Sequence, residues 1–294
     1  MIDIDFETRS KADIMECGAW RYSEDPSTEV LCMQWSVNGA EPELWIPGMP
    51  SPSWTTNKQE FLRLGGQVRA HNAAFEQAIW ENICIGAFGW IFIEPIHWLD
   101  TMAQAAAMSL PMSLEDCGAA LQLPVVKDTE GKRVMQQLSR PRKPSKDNPK
   151  EWMEKEDYPD KFNTLYSYCS TDVKAQTAIG NFLPQLTRQE RWVWVLDRVI
   201  NRRGVGIDID LAHKALEVID AVETRGIARI KEITGGEVET ASQVAKLLNW
   251  ARNQGVEITS LTKESVSNTL KEGKLPDNVK EVLQIRQMLG KSST

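Results

Sequence analysis

Asp5 and Glu7 stand one residue apart in the run Ile2-Asp3-Ile4-Asp5-Phe6-Glu7. In a strand, side chains at i and i+2 leave by the same face, with Cα atoms about 6.6–6.8 Å apart. Two carboxylates so placed repel each other and are costly to bury, and a cation between them removes both penalties. Read alone, the pair fits an exposed strand with solvated acids as well. A second group is His71-Asn72-Ala73-Ala74-Phe75-Glu76. Asn72 would open a helix and Glu76 would lie one turn inside it. An ordinary capped helix with an exposed glutamate is the plainer alternative. The third group is Tyr168-Cys169-Ser170-Thr171-Asp172. Tyrosine and aspartate at i and i+4 share a helix face, with Cβ atoms about 5–6 Å apart. A phenol there could orient a water held beside the carboxylate, and a surface Tyr/Asp pair is again the simpler reading.

These groups need a strand and two helices to carry them, and the patterning supplies them. Ile2, Ile4 and Phe6 alternate with Asp3, Asp5 and Glu7, which predicts an opening strand. Further strands are expected at 29–37, 43–46 and 67–70, with an extended run at 90–93. Ala73–Ile83 reads as an amphipathic helix through Phe75, Ile79 and Ile83. Asp100 reads as the N-cap of a helix over 101–108, and Ser113 with Asp116 as the start of another. Pro141, Pro144 and Pro149 among lysines and arginines predict a long loop or mobile flap over 139–149. A helix follows from about Lys161 to Phe182, ahead of Pro184. Beyond it the texture is nearly all helix, at 188–203, 211–233, 242–253, 263–270 and 278–289, punctuated by Gly204, Gly235-Gly236, Gly255 and Gly273. The change of texture puts a domain boundary at Pro184–Thr187.

Composition excludes several classes. With 294 residues, 41% hydrophobic and 26% charged, the chain is of ordinary globular type and long enough for two domains. Its longest near-apolar run, Cys84 to Ile93, is about half of what a membrane-spanning helix needs. No basic-then-apolar segment opens it, so a cytoplasmic protein without membrane attachment is expected. Five scattered cysteines and three histidines show no C-x-x-C and no H-E-x-x-H, which disfavours a disulfide framework and a zinc hydrolase. G-x-S-x-G, Walker A and a full G-x-G-x-x-G are absent too. The net charge of −7 is unevenly spread: residues 1–184 carry 17 basic and 26 acidic groups, residues 185–294 carry 17 and 15, and Lys127–Lys150 holds eight basic against three acidic. An acidic region with one basic flap suits an enzyme holding cations in a carboxylate cluster.

Taken in order, D-x-E on the first strand, N-x-x-F-E opening a helix and Y-x-x-x-D on a late helix resemble the three exonuclease motifs of the DEDD superfamily, in its tyrosine-bearing subgroup. Asp5-Phe6-Glu7-Thr8-Arg9-Ser10 and Asp100-Thr101-Met102 look like the proofreading domain of family A DNA polymerases, phage-type ones especially. Residues 192–210, ending Arg203-Gly204-Val205-Gly206-Ile207-Asp208, are similar to the lead into the thumb of that family. Val282-Leu283-Gln284-Ile285-Arg286 and Lys291-Ser292-Ser293-Thr294 look like its last thumb helix. The resemblance covers essentially the whole chain and stops where a palm would begin.

It implies an α/β, RNase H-like exonuclease fold over 1–185, a mixed sheet flanked by helices, followed by a mostly α-helical, thumb-like segment over 186–294, with palm and fingers absent. It implies two divalent ions, Mg²⁺ or Mn²⁺, about 3.5–4 Å apart, which suit an all-oxygen ligand set. Asp5 would bridge both, Glu7 and Asp172 would hold the ion that activates water, Tyr168 would aim that water, and Glu76 would serve the second ion. Thr8 would contact the terminal nucleotide through its backbone, and Asn72 would either contact the substrate strand or serve as a helix cap. The expected activity is 3′→5′ hydrolysis of single-stranded or frayed DNA 3′ ends to nucleoside 5′-monophosphates by a monomer, in a phage-infected or prophage-carrying bacterial host, with a polymerase domain separate or missing. An RNA 3′-exonuclease and a non-catalytic DNA-binding fragment are the alternatives. One residue departs from the pattern: the family's second motif usually ends in Asp, and here it ends in Glu76.

Overall fold

The computed structural model describes residues 1–123, 128–145, 149–271 and 275–290. Lys127, residues 146–148 of the basic segment, Gly273 and the closing residues 291–294, on which parts of the sequence reading rest, lie outside the described residues. The chain forms two compact units, Met1–Val205 and Gly206–Thr294.

The first unit is built on a five-stranded mixed sheet of order β3-β2-β1-β4-β5. Its strands are β1 (Ile2–Arg9), β2 (Glu29–Val37), β3 (Glu43–Trp45), β4 (Val68–Ala70) and β5 (Trp98–Asp100). β1 pairs antiparallel with β2 and parallel with β4; β2–β3 is antiparallel and β4–β5 parallel. Helices α1 (Ile14–Glu24), α2 (Ser53–Thr56), α3 (Lys58–Arg63), α4 (Ala73–Ile79), α5 (Ile85–Phe88), α6 (Thr101–Ala107), α7 (Leu114–Ala120), α8 (Thr129–Leu138), α9 (Pro159–Phe182) and α10 (Arg188–Arg203) complete the unit. This α/β arrangement, a mixed sheet flanked by helices, is consistent with the RNase H-like fold that the resemblance implies.

The alternation in β1 sorts two environments. Ile2, Ile4 and Phe6 point into an aromatic core with Trp45, Trp54, Trp80, Trp90 and Trp98. Asp3, Asp5 and Glu7 occupy the other face, against which α9 packs. On that side Cys32, Leu165 and Cys169 form a second, smaller cluster with α8. Asp3 is fully buried and paired with Arg69, whose Nε and Nη2 lie 2.5 and 3.1 Å from its two oxygens. Gly180 on α9 makes room for that guanidinium, because a Cβ there would stand 2.5 Å from Nη1.

Three expectations change. The run 90–93 is not a strand: Trp90 and Ile93 are buried in the core as irregular chain, and the sheet gains β5 instead. Ala73–Ile83 is not one continuous helix, since Trp80–Cys84 forms a π-helical turn between α4 and α5. The loop expected from 139 is irregular chain over its described residues 139–145, and the basic segment before it forms α8, where Asp128 caps the backbone N–H of Gly131. The compact units divide at Val205/Gly206 rather than at Pro184–Thr187. Helix α10 stays with the first unit because Arg191 donates to the Ile96 carbonyl at 2.8 Å, Arg202 pairs with Glu81, and Trp194 packs on the aromatic core. Helical texture does not reveal which core a helix packs on.

The second unit contains α11 (Ile209–Ile233), α12 (Val244–Asn253), α13 (Lys263–Lys271) and α14 (Asp277–Leu289). Ile230, Leu247, Trp250, Val279, Val282 and Leu283 are its core. Gly226 lets α14 approach α11 closely, with Ile285 and Leu289 within 3.4 Å of where a Cβ would stand.

Candidate active site

The β1 face presents three acids in a row, and only the first is neutralised. Among the described residues Asp5, Glu7 and Glu76 form no ion pair. Glu7 is 8% exposed and Glu76 2% exposed. Ligand atoms of Asp5, Glu7 and the Cys169 thiol lie within 4.8 Å of one another. A register shift between Glu7 and Thr8, where Leu31 of β2 is left without a partner, bulges the sheet next to these acids. Such bulges re-aim side chains beside functional sites.

Glu76 reaches the cluster from α4. Asn72, at the start of that helix, takes a left-handed conformation (φ 66°, ψ 51°) and makes no side-chain cap hydrogen bond. The cap role expected of it is therefore not filled. Its backbone N–H donates instead to Asp100 Oδ1 at 3.0 Å, and Asp100 also accepts from Met102 and Ala103, capping α6 as its spacing predicts. His71 just before it is pinned between Thr101 Oγ1 (2.9 Å) and the Met112 carbonyl (2.7 Å). Burial pushes its pKa down, so the ring is neutral, with Nε2 donating to the carbonyl. The exposed Asn72 side chain is free to meet a ligand. Glu76 Oε2, by contrast, is buried and, among the described residues, has no hydrogen-bond partner.

Tyr168 and Asp172 come from α9, which is fixed to the sheet by Gln176. Its Nε2 donates to the Ile4 carbonyl at 2.8 Å and its Oε1 accepts from His71 N at 2.9 Å. The Tyr168 hydroxyl lies within electrostatic reach of the Asp172 carboxylate. Gly131 of α8 packs on the Tyr168 ring, where a Cβ would come within 2.6 Å of Cδ2. Helix α8 thereby brings Asp128 and Lys132 into electrostatic reach of Asp172.

The acids act on one another's charge. Burial, then the Asp172 charge, pushes Asp5 well above the usual carboxylate range. Burial and then Asp5 do the same to Glu7, with Cys32, Asp172 and Glu76 adding to the effect. Glu76 is raised by burial first and Asp5 second. Asp172 is pushed up to about 7 by burial, with the neighbouring Tyr168 hydroxyl offsetting part of the rise. Burial and the surrounding acids drive the Tyr168 phenol far upward, so it remains a donor at any working pH.

Four acids with raised pKa values fix the sign of a pH effect. In the folded protein without metal they hold protons that the unfolded chain has released above about pH 4. Stability therefore falls as pH rises through the folded values, about 7 for Asp172. In EDTA the melting temperature should be higher at pH 5.5 than at pH 8, and Mg²⁺ or Mn²⁺ should raise it more at pH 8, where Asp172 has already lost its proton. A melting temperature indifferent to both variables would contradict the cluster as drawn.

Thr8 does not face the cluster with its hydroxyl, which hydrogen-bonds the Tyr22 hydroxyl at 2.9 Å. The Tyr22 ring lies 6.1 Å from Phe75. This row from Thr8 to Phe75 was not anticipated, since Tyr22 sits on α1, a helix interrupted by Gly18 (φ 75°) that has little periodicity to betray it. The Asp3–Arg69 pair was missed as well. A lone arginine between Val68 and Ala70 on a buried strand was its signal.

No protein-family model matches the sequence. Over 296 aligned positions, 99% of its own length, the chain is 29% identical to a protein described as DNA polymerase of Bacillus phage SP02. The chain spans 44% of that relative's length. It is thus related, from end to end, to less than half of a phage DNA polymerase.

Proposed function

We propose that the first unit is a metal-dependent 3′→5′ exonuclease acting on single-stranded or frayed DNA ends, the proofreading module of a phage-type family A polymerase. The observation that carries this reading is the convergence of Asp5, Glu7, Glu76 and Asp172, the first three without a basic partner among the described residues, beside a tyrosine in electrostatic reach of Asp172. The relationship to a phage DNA polymerase supports DNA as the substrate. The donor set fits divalent cations: all four acids offer hard oxygen ligands, and the orphaned Glu76 Oε2 is a buried acceptor in need of one.

Asp5, Glu7 and Asp172 would hold one ion and Asp5 with Glu76 a second; bound there, such ions lower the pKa of water and neutralise charge developing on the phosphate. The chain's own groups do the rest. Tyr168, its ring packed on Gly131, presents its hydroxyl beside Asp172, where it orients the attacking water. Asn72 and the backbone at Thr8 grip the terminal nucleotide. Asp3, neutralised by Arg69, adds no repulsion and anchors β1.

A 5′-labelled single-stranded DNA should shorten one nucleotide at a time from its 3′ end with Mg²⁺ and stay intact in EDTA, and RNA of the same sequence should be cut more slowly. A strand that is retained but never shortened would instead identify a binding module. Tyr168→Phe keeps the ring packing and loses the hydroxyl. It should leave metal affinity unchanged and slow single-turnover cleavage by about 10- to 100-fold. A wild-type rate would remove Tyr168 from the reaction.

A further inference from the structure

A cavity of about 170 Å³ lies between α1, α4 and α10, on a different side of α4 from Glu76. Trp20, Gln77, Glu81, Arg198, Asn201 and Arg202 line it. It leads into a broader groove of about 550 Å³, shared through Trp20, Glu81 and Arg202 and extended by Phe92 and Arg203. Neither space includes a member of the carboxylate cluster.

The wall of this cavity is built. The Glu81 side chain is 8% exposed, and Arg202 Nε holds Oε2 at 2.5 Å. Oε1 is buried and, among the described residues, has no hydrogen-bond partner. Burial pushes the Glu81 carboxyl up, against the pull of Arg202. Leaving such an acceptor unpaired is expensive, so the cavity calls for an N–H or O–H donor. Glu81 lies in the π-helical turn Trp80–Cys84, and turns of this kind recur at functional sites. The Trp20 indole is held by Glu24 at 3.0 Å, and the Arg202 guanidinium lies 4.6 Å above the Phe92 ring. An aromatic wall, one buried acceptor and three arginines along the mouth are complementary to a flat ring with an N–H edge and a phosphate behind it. At about 30 Å³ per water, the cavity holds one base, which leaves sugar and phosphate in the groove.

We propose that this cavity binds the base of a nucleoside 5′-phosphate unit, with Glu81 Oε1 accepting from a base N–H, Trp20 flanking the ring, and Arg198, Arg202 and Arg203 facing the phosphate. The unit is either a free mononucleotide or one nucleotide of a bound strand. The choice of nucleotide as ligand rests on the nucleic-acid reading above, whereas the site and its donor requirement rest on the cavity alone.

The test uses the full chain in EDTA, so that no cleavage enters the readout and a failure of the nuclease reading leaves it untouched. By isothermal titration calorimetry, dAMP should bind about 10- to 100-fold more tightly than purine 2′-deoxyriboside 5′-monophosphate, which has the same shape but lacks the amino group. A short oligo-dA strand is compared in the same way with one whose adenines are all replaced by purine. A preference in both arms means that the cavity accepts the free nucleotide, and a preference in the strand arm alone assigns it to bound DNA. Glu81→Gln should abolish the preference, and Arg198→Ala should weaken dAMP more than deoxyadenosine. Equal affinities for amino and amino-free ligands in both arms, or a preference that survives Glu81→Gln, would overturn the proposal.

Discussion

Asp5→Ala should abolish strand shortening, a loss of at least about 10³-fold given that a bound metal supplies several kcal/mol of charge stabilisation, while making the metal-free protein at pH 8 as stable as the wild type or more so. The second half of this expectation distinguishes a site residue from a structural one. Asp5 lies at the centre of the repulsive set: its charge is a leading cause of the raised pKa of both Glu7 and Glu76. Removing it relieves those neighbours and ends its own desolvation cost. What holds β1 in place is elsewhere, in the Asp3–Arg69 pair and in the bonds that the Ile4 and Asp5 carbonyls accept from Gln176 and Cys169, and the substitution leaves these intact. The measurements are single-turnover cleavage and thermal melting in EDTA. A marked loss of stability without metal would make Asp5 structural.

Glu76→Gln should cut cleavage on the order of 10²-fold or more, raise the Mg²⁺ concentration needed for half-maximal rate, and stabilise the metal-free protein at pH 8. Its motive is the departure from the usual Asp at this position. Glutamate reaches roughly 1–1.5 Å further, and misplacement on that scale matters for reacting groups. The side chain is not an exposed helix glutamate: it is 2% exposed with one oxygen unpaired. Glu76→Asp should keep partial activity, since Mg²⁺ retains waters that can bridge a gap. Wild-type kinetics and metal dependence in Glu76→Gln would exclude it from the site. Asp100, the next acid in line, is already engaged by three backbone N–H groups.

Much of this was legible because the signals are local. Period-two alternation placed β1 and put Asp5 and Glu7 on one face. The i, i+4 spacing placed Tyr168 and Asp172 together, and Asp100 capped the helix that its position announces. What was not legible depends on contacts distant in sequence. Nothing near Arg69 names Asp3, 66 residues away, as its partner. The left-handed turn at Asn72 is imposed by Asp100 drawing in its N–H, so the asparagine that looks like a cap is held by one. The prolines announced the irregular chain over the described residues 139–145, but nothing announced that Asp128 starts a helix just before them, which Gly131 allows to press on Tyr168. The π turn that aims Glu81 has no sequence signature at all.

The account's central claim is that this carboxylate cluster hydrolyses the terminal phosphodiester of DNA. It is tested most directly by identifying the first species released from a 3′-labelled single strand by mass spectrometry, with Mg²⁺ and with excess EDTA. The account predicts a labelled nucleoside 5′-monophosphate that appears with Mg²⁺ before any other product and does not appear in EDTA. First release from the 5′ end, a 3′-monophosphate, or undiminished release in EDTA would contradict it.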